Sequence, residues 1–135
     1  MPSTGDLPPA ISGRMFEMSY TRPGDLARIR AFVREHAGEL GLTEMRADLL
    51  TLAVSELATN TLQHTAGGGR VRLHTEPGRL LCDVIDQGPM RVLGRAMPAA
   101  DALRGRGLAI VERLCDDVDI TTADGGTRVR LTLLL

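Results

Sequence analysis

Three polar side chains recur every four residues near the end of a long apolar segment. A helix would place Glu56, Asn60 and His64 on one face. Burying a carboxylate and an amide there is costly unless both groups are bound. Glu56 could act as a general base, and the Asn60 side-chain oxygen is a hard ligand of the kind that Mg²⁺ takes. For His64, near the predicted helix C-terminus, a structural role is favoured because the helix dipole stabilises a cation there.

Three further segments could complete a site around this helix face. Asp86 ends a predicted strand on the side that faces the helices, where its carboxylate can accept a hydrogen bond from an exocyclic amino group. The segment Gly105-Arg106-Gly107 precedes a predicted helix, and the backbone N–H groups of a helix N-terminus bind phosphate. Thr127 begins the last predicted strand, also on the helix-facing side. A nucleotide with Mg²⁺ would satisfy all these groups together.

Each of these groups also has an ordinary structural interpretation. Glu56 could pair with an arginine, Asn60 could bond to backbone, and Asp86 could cap a turn. The glycines could simply mark a loop before a helix, and Arg106 is equally consistent with a phosphate contact and with a solvated side chain. The four segments taken together favour the nucleotide interpretation.

The helices that must position these groups follow from hydrophobic periodicity. Alternation predicts a strand over 14–20, and apolar residues at helical spacing predict a helix that begins after Asp25 and ends at Gly41. A second helix, capped by Thr43, runs to about His64. Its apolar residues cover most of its circumference, which indicates burial on several sides.

Four short alternating segments follow a glycine-rich break and predict strands over 70–75, 80–86, 117–122 and 127–135. An irregular segment and a short helix over 108–114 separate the second of these strands from the third. The pattern predicts an α+β, two-layer α/β sandwich with a mixed, mostly antiparallel sheet and helices on one face. The other face would carry charged side chains, namely Arg70, Arg72, His74, Asp83, Asp117, Asp119, Arg128 and Arg130.

Composition excludes several classes of protein. All 16 basic residues are arginine, so a Walker A lysine, the lysine of the eukaryotic-type kinase fold and Schiff-base chemistry are excluded. A net charge of −1 gives no support to nonspecific nucleic-acid binding. No apolar run reaches the roughly 20 residues that span a bilayer, and the N-terminus lacks signal-peptide features, so we expect a cytoplasmic protein. We expect a flexible N-terminus over 1–12 and a single domain over 13–135.

Four motifs, in order along the chain, resemble those of the GHKL, or Bergerat-fold, ATP-binding superfamily, which includes DNA gyrase, histidine kinases and anti-sigma-factor kinases. "ELATN" resembles the N box, "DQGP" the first glycine box, "GRGL" the second glycine box and "GGTRVRLTL" the final strand. The resemblance implies that Glu56 is the general base and that Asn60 holds Mg²⁺. It implies an ATP site formed by Asn60, Asp86, Gly88, Gly105, Arg106, Gly107, Leu108 and Thr127.

Chain length and a short ATP lid, over about 87–107, make the chain most similar to the anti-sigma serine/threonine kinases. That resemblance implies phosphorylation of a serine on a small anti-anti-sigma (STAS-like) protein. It also implies that the domain holds a sigma factor in an inactive complex without contacting DNA, and it leaves a homodimer open.

Met90 departs from the family pattern, because the first glycine box is usually D-x-G-x-G and Met90 replaces its second glycine. Glycine permits backbone geometry there that methionine resists. The alternative function is therefore a nucleotide-gated protein-binding module with little or no kinase activity. A free-standing ATPase and a DNA-binding regulator are less favoured.

Overall fold

The computed structural model describes residues 14–64, 67–86, 111, 113–123 and 126–135, apart from the side chains of His64, Thr122 and Ala123. These residues form β1 (Met15–Tyr20), α1 (Leu26–Glu39), α2 (Glu44–His64), β2 (Gly69–Glu76), β3 (Arg79–Asp86), β4 (Asp117–Ala123) and β5 (Gly126–Leu134). A 3-10 turn, Pro23–Asp25, leads into α1. Of the predicted helix 108–114, three residues are described, and all three are helical. The predicted lid and the predicted flexible terminus lie outside the described residues.

The five strands form one sheet in the order β1-β2-β3-β5-β4. Each of the four pairings between these described strands is antiparallel, so no parallel pair of the predicted mixed sheet occurs among them. Both helices pack on one face, which confirms the α+β two-layer class. None of the described helices has the length and apolar character needed to cross a membrane.

The core lies between the two helices and the inner face of the sheet. Ile29 and Val33 of α1, Leu50 and Leu57 of α2 and Leu73 of β2 are fully buried. Each such side chain contributes about 1.5–3 kcal/mol relative to exposure, before the entropy of ordering the chain is subtracted. This packing fixes α2 against the sheet, and α2 carries the candidate catalytic residues.

One stripe of α2 is more exposed than its sequence predicts. Met45 is 69% exposed and Leu52 is 48% exposed, although the apolar pattern indicated burial around most of the helix. The two residues are seven apart and therefore share a face. The prediction of burial is wrong for this stripe, because periodicity records which residues are apolar and not which neighbouring element covers them.

The helix ends confirm two predicted caps and correct a third. Gly41 takes φ = +116° just after α1, and Thr43 Oγ1 accepts a hydrogen bond from Arg46 N–H at 3.3 Å. Asp25 precedes α1 as predicted, but its carboxylate does not cap the helix. It accepts a hydrogen bond at 2.9 Å from the backbone N–H of Thr21, in the preceding turn.

The outer face of the sheet is organised around a fully buried carboxylate, Asp83. Arg130 donates two hydrogen bonds to it, from Nε at 2.7 Å and from Nη2 at 3.0 Å, and His74 Nε2 lies 3.2 Å away. Burial alone raises the pKa of Asp83, but the bonds and charge of Arg130 and His74 outweigh it and hold that pKa below its usual value. Beside this group, Arg70 pairs with Glu17 at 2.8 Å. The charges of the described residues on this face therefore neutralise one another and form no basic patch.

The two cysteines, Cys82 and Cys115, are free. Cys82 is buried, and burial raises its pKa well above the usual value. Burial also raises the pKa of Cys115 to about 12. Because the thiolate is the reactive form, neither thiol is suited to act as a nucleophile.

We expect Asp83→Asn to lower the free energy of unfolding by about 1.5–3 kcal/mol near neutral pH, the worth of hydrogen bonds to a charged group. Since the pKa of Asp83 is lowered in the fold, its stabilising effect is present above the unfolded pKa and is lost as pH falls through the folded pKa. The difference between variant and wild type should therefore shrink on acidification. Urea unfolding across this pH range measures it.

Asp119→Asn is the matched control. Asp119 lies on the same face and pairs with Arg128 at 3.8 Å, but it is exposed, so the change should cost less than about 1 kcal/mol. An equal loss of unfolding free energy in the two variants would show that the burial of Asp83 does not increase the stabilising effect of its ion pairs.

Candidate functional site

Four residues lie in one row across one end of the sheet. Tyr20 pairs with Gly69, and Gly69 pairs with Asp86. Continuing the β3–β5 register by one residue places Thr127 opposite Asp86. Tyr20, Asp86 and Thr127 are all buried. Asp86 shares its strand face with the core residue Val84, and Thr127 shares its face with the core residue Val129, which confirms the helix-facing side predicted for both. The row brings together groups from four strands that are far apart along the chain.

Gly69 makes room for Tyr20 at this end of the sheet. A Cβ added at Gly69 would lie 2.6 Å from the Tyr20 hydroxyl oxygen and would also overlap the carbonyl oxygen of Ile85. The preceding residue, Gly68, takes φ = +70°. The glycine-rich segment thus ends α2, as predicted, and it also lets the tyrosine ring lie over the sheet beside Asp86.

The last turns of α2 bind the end of β3 through Thr61. Thr61 is 1% exposed, and its Oγ1 donates a hydrogen bond to Asp86 Oδ1 at 2.8 Å. Asn60, also buried, precedes Thr61, and half-buried Glu56 lies one turn earlier on the same helix. This contact therefore brings the predicted N-box residues to the end of the sheet that holds Asp86. The side chain of His64, their predicted companion, lies outside the described residues.

The buried groups around Asp86 are only partly satisfied. Burial raises the pKa of Asp86, while the hydrogen bond from Thr61 opposes that rise. Burial raises the pKa of Tyr20 as well; the neighbouring Thr61 hydroxyl opposes that rise, and the charge of Asp86 adds to it. The buried Tyr20 hydroxyl lies beside Thr61 but has no partner of full hydrogen-bond geometry among the described residues, and the hydrogen bond that Thr61 donates to Asp86 is made at Oδ1. Buried polar atoms with unused capacity and a shifted pKa are typical of a binding site.

A cavity of about 240 Å³ opens at this end of the sheet. Its lining comes from β3, β4 and β5, namely Ile85, Asp86, Thr121, Gly126, Thr127 and Arg128. Asp86 and Thr127 belong to the helix-facing side, whereas Thr121 and Arg128 belong to the outer face. The cavity thus lies at the sheet end where Asp86 and Thr127, the two predicted base-binding residues, meet.

These residues fit one end of a purine nucleotide and a metal ion. Asp86 Oδ2 can accept a hydrogen bond from an exocyclic amino group, and Thr127 lines the same cavity. The amide oxygen of Asn60 is a ligand type that Mg²⁺ accepts, with phosphates and water as its usual other ligands. The predicted phosphate-binding residues lie outside the described residues, namely Gly88, Gly105, Arg106, Gly107 and Leu108. Met90 lies outside them as well.

Sequence reasoning missed two residues of this site, Thr61 and Tyr20. A weak signal existed for Thr61, because it places a hydroxyl on an apolar stretch of helix immediately after Asn60. Tyr20 is the single tyrosine of the chain and ends a strand on its inward face. Neither signal indicates Asp86 as a neighbour, since these contacts depend on how α2 packs on the sheet and on how the strands pair.

Solved structures include a similar fold, and curated proteins provide no match to this chain. The RsbU and RsbW domains of Rv1364c from Mycobacterium tuberculosis match it with a TM-score of 0.67 and 22% sequence identity. The match covers 90% of this chain and 32% of the other, so the chain spans about a third of the length of that structure. At this identity the likeness shows the fold.

A protein family described as the histidine kinase-like ATPase domain matches residues 20–133. The matched range begins at Tyr20 and includes Asn60, Asp86 and Thr127, so it spans all the described groups of the candidate site. It also spans the four motifs that resemble the GHKL superfamily. The chain therefore belongs to the family of histidine kinase-like ATPase domains.

Proposed function

We propose that this chain is an ATP-binding serine/threonine protein kinase domain of the anti-sigma type, which regulates transcription by exchanging protein partners. The observation that carries the proposal is the buried Asp86 carboxylate at the sheet end. It is bound on one oxygen by Thr61 and lies opposite Thr127, in a chain that belongs to an ATPase family. A carboxylate that is only 6% exposed and has a raised pKa is costly to keep unless a ligand uses it.

Asp86 would bind the adenine base. Its Oδ2 accepts a hydrogen bond from the exocyclic amino group, and the Thr127 hydroxyl assists. A guanine base presents a carbonyl oxygen at the same position, which a carboxylate repels. Selection of the base therefore depends on the charge of one buried group.

Asn60 and Glu56 would act at the phosphate end. Asn60 would hold Mg²⁺, which when bound bridges phosphate oxygens and neutralises their charge. Glu56 would accept the proton of the attacking serine hydroxyl. The second glycine box would orient the phosphates through backbone N–H groups, with Gly105, Arg106, Gly107 and Leu108 as the proposed contacts and Gly88 at the first box.

The proposed protein substrate is a serine on a small anti-anti-sigma (STAS-like) protein, and the proposed second partner is a sigma factor. The likeness to the RsbW domain supports this subclass. The mutually neutralised outer face supports an absence of direct DNA contact. These partners would place the domain in the cytoplasm, and a homodimer stays open.

A nucleotide-gated binding module with little or no kinase activity is the second candidate. Met90, in place of the second glycine of the first glycine box, is the observation that favours it. Wild-type protein that binds ATP but transfers no labelled phosphate to a captured partner would support this candidate. Met90→Gly would then be the change to test for restored transfer.

We expect Asp86→Asn to weaken ADP binding by about 1.5–3 kcal/mol, because it removes a charged acceptor. The ligand-free variant should be as stable as wild type or more stable, since the fold disfavours the charged form of Asp86. Calorimetry with Mg²⁺–ADP and thermal melting measure the two effects.

Asp83→Asn is the control, because Asp83 lies on the same strand, is also buried and faces the opposite side of the sheet. It should lose stability and keep ADP affinity within a factor of about two. Wild-type ADP affinity in Asp86→Asn would remove Asp86 from the nucleotide site.

ADP affinity should fall on acidification at a higher pH than an ordinary aspartate predicts. Adenine binding needs the ionised carboxylate of Asp86 as an acceptor, and burial raises the pKa of Asp86 above its usual value of about 3.9. Calorimetry from about pH 8 down to about pH 4 should show the loss beginning above that value. In Asp86→Asn, the remaining weak binding should lack this pH dependence.

We expect Glu56→Gln to separate binding from catalysis. Glutamine keeps the shape of the side chain and removes a negative charge near the triphosphate, so ATP affinity should hold or rise. Transfer of labelled phosphate to a captured partner should fall by about 10²–10⁴, the usual contribution of a general base. Glu44→Gln, in the exposed first turn of the same helix, should change neither quantity. A Glu56→Gln variant that melts early yet transfers phosphate normally per folded molecule would assign Glu56 a structural role.

A further inference from the structure

The hydroxyl groups of Thr61 and Tyr20 lie beside Asp86, the proposed adenine-binding carboxylate. Neither residue belongs to the four sequence motifs. Building on the proposed nucleotide site, we propose that Thr61, supported by Tyr20, is a positioning residue that sets the base specificity. Thr61 donates a hydrogen bond to Oδ1 of Asp86, which leaves Oδ2 to face the ligand. The resulting geometry favours a purine with an amino group over a purine with a carbonyl at the same position.

The single proton of Thr61 has two acceptors within reach. Its Oγ1 lies 2.8 Å from Asp86 Oδ1 and 3.1 Å from the carbonyl oxygen of Leu57. A hydroxyl donates one hydrogen bond, and a carboxylate is the stronger acceptor. The proton therefore goes to Asp86 when Asp86 is ionised, and this bond fixes the rotation of the carboxylate about its own side chain.

Tyr20 supplies the next donor in the series. It is fully buried, and its hydroxyl has no hydrogen-bond partner among the described residues, although Thr61 and Asp86 are its polar neighbours. Once the Thr61 proton points to Asp86, the lone pairs of Thr61 Oγ1 can accept a hydrogen bond from Tyr20. Serial donation of this kind strengthens each bond and stabilises the ionised carboxylate. Gly69 contributes by leaving space for the tyrosine hydroxyl.

Base selection follows from the fixed, ionised carboxylate. An exocyclic amino group donates to Oδ2, whereas a carbonyl would place its lone pairs against a negative oxygen. A carbonyl-bearing base is tolerated only if Asp86 takes up a proton or turns away. Thr61 opposes both changes, because its bond favours the ionised form and holds the carboxylate in place.

Calorimetry with Mg²⁺–ADP and Mg²⁺–IDP tests this role. The base of ADP has an exocyclic amino group where the base of IDP has a carbonyl group. We expect Thr61→Val to reduce the preference for ADP over IDP by about tenfold, the worth of one hydrogen bond to a charged group. Thr61→Ser keeps the hydroxyl and should preserve the wild-type preference within about twofold. Tyr20→Phe should give a smaller reduction than Thr61→Val.

Thr51→Val is the matched control. Thr51 is equally buried on the same helix, and its Oγ1 donates to the carbonyl oxygen of Ala47 at 2.7 Å, but it has no contact with the site among the described residues. It should change melting temperature without changing the ratio of ADP to IDP affinity. Thr61→Ala gives the same information as Thr61→Val if valine prevents folding.

The outcomes distinguish this inference from the proposed function. Wild type that prefers ADP, together with an unchanged preference in Thr61→Val and Thr61→Ala, would overturn the role of Thr61 and leave the nucleotide site intact. Wild type that binds neither nucleotide would overturn both proposals. Wild type that binds ADP and IDP equally would overturn the specificity inference and the role of Asp86 in base selection.

Discussion

The alternation of β3 is the constraint on which the rest of this structure depends. Asp83 and Asp86 are three residues apart on one strand, so they face opposite sides of the sheet, and both are buried. On the outer face, Arg130 and His74 satisfy Asp83 and lower its pKa. On the inner face, one hydroxyl is the described partner of Asp86, and its pKa is raised. The first carboxylate stabilises the fold, and the second is available to a ligand.

Most of the fold could be predicted from the sequence because each element has a clear period. The bounds of α2, the cap at Thr43 and the inward position of Asp86 all follow from local patterns. The exposure of Met45 did not follow, because the pattern contains no information about which element packs against a given side of a helix. The carboxylate of Asp25 accepts a backbone N–H hydrogen bond from the preceding turn and none from the backbone of the first turn of α1. Residue type alone does not decide which of these two sets of backbone N–H groups it binds.

The candidate site likewise contains residues that local sequence indicates and residues that only tertiary packing brings together. Asn60 and Asp86 could be predicted, since each belongs to a short motif with a chemical reason for its residue types. Thr61 and Tyr20 could not, because their neighbours are distant in sequence. Thr61 meets Asp86 through the packing of α2 on the sheet, and Tyr20 lies in the same row as Asp86 through strand pairing. A hydroxyl in a buried helix ordinarily bonds to the carbonyl oxygen four residues earlier, as Thr51 does. Only the packed structure distinguishes Thr61 from that common arrangement.

In the proposed function, the position of Thr61 would also connect base recognition to the chemistry at the phosphates. Glu56 lies one turn before the adjacent residues Asn60 and Thr61 on one helix, and α2 is packed against the sheet by a continuous core. A rigid helix moves its side chains together, so the bond between Thr61 and Asp86 fixes the depth and rotation of α2 at the site. Adenine bound at Asp86 would therefore meet an Asn60 and a Glu56 that are already in place, which lowers the ordering cost of the reactive geometry. A base that displaces Asp86 would disturb the same helix, so specificity and catalytic alignment would be lost together.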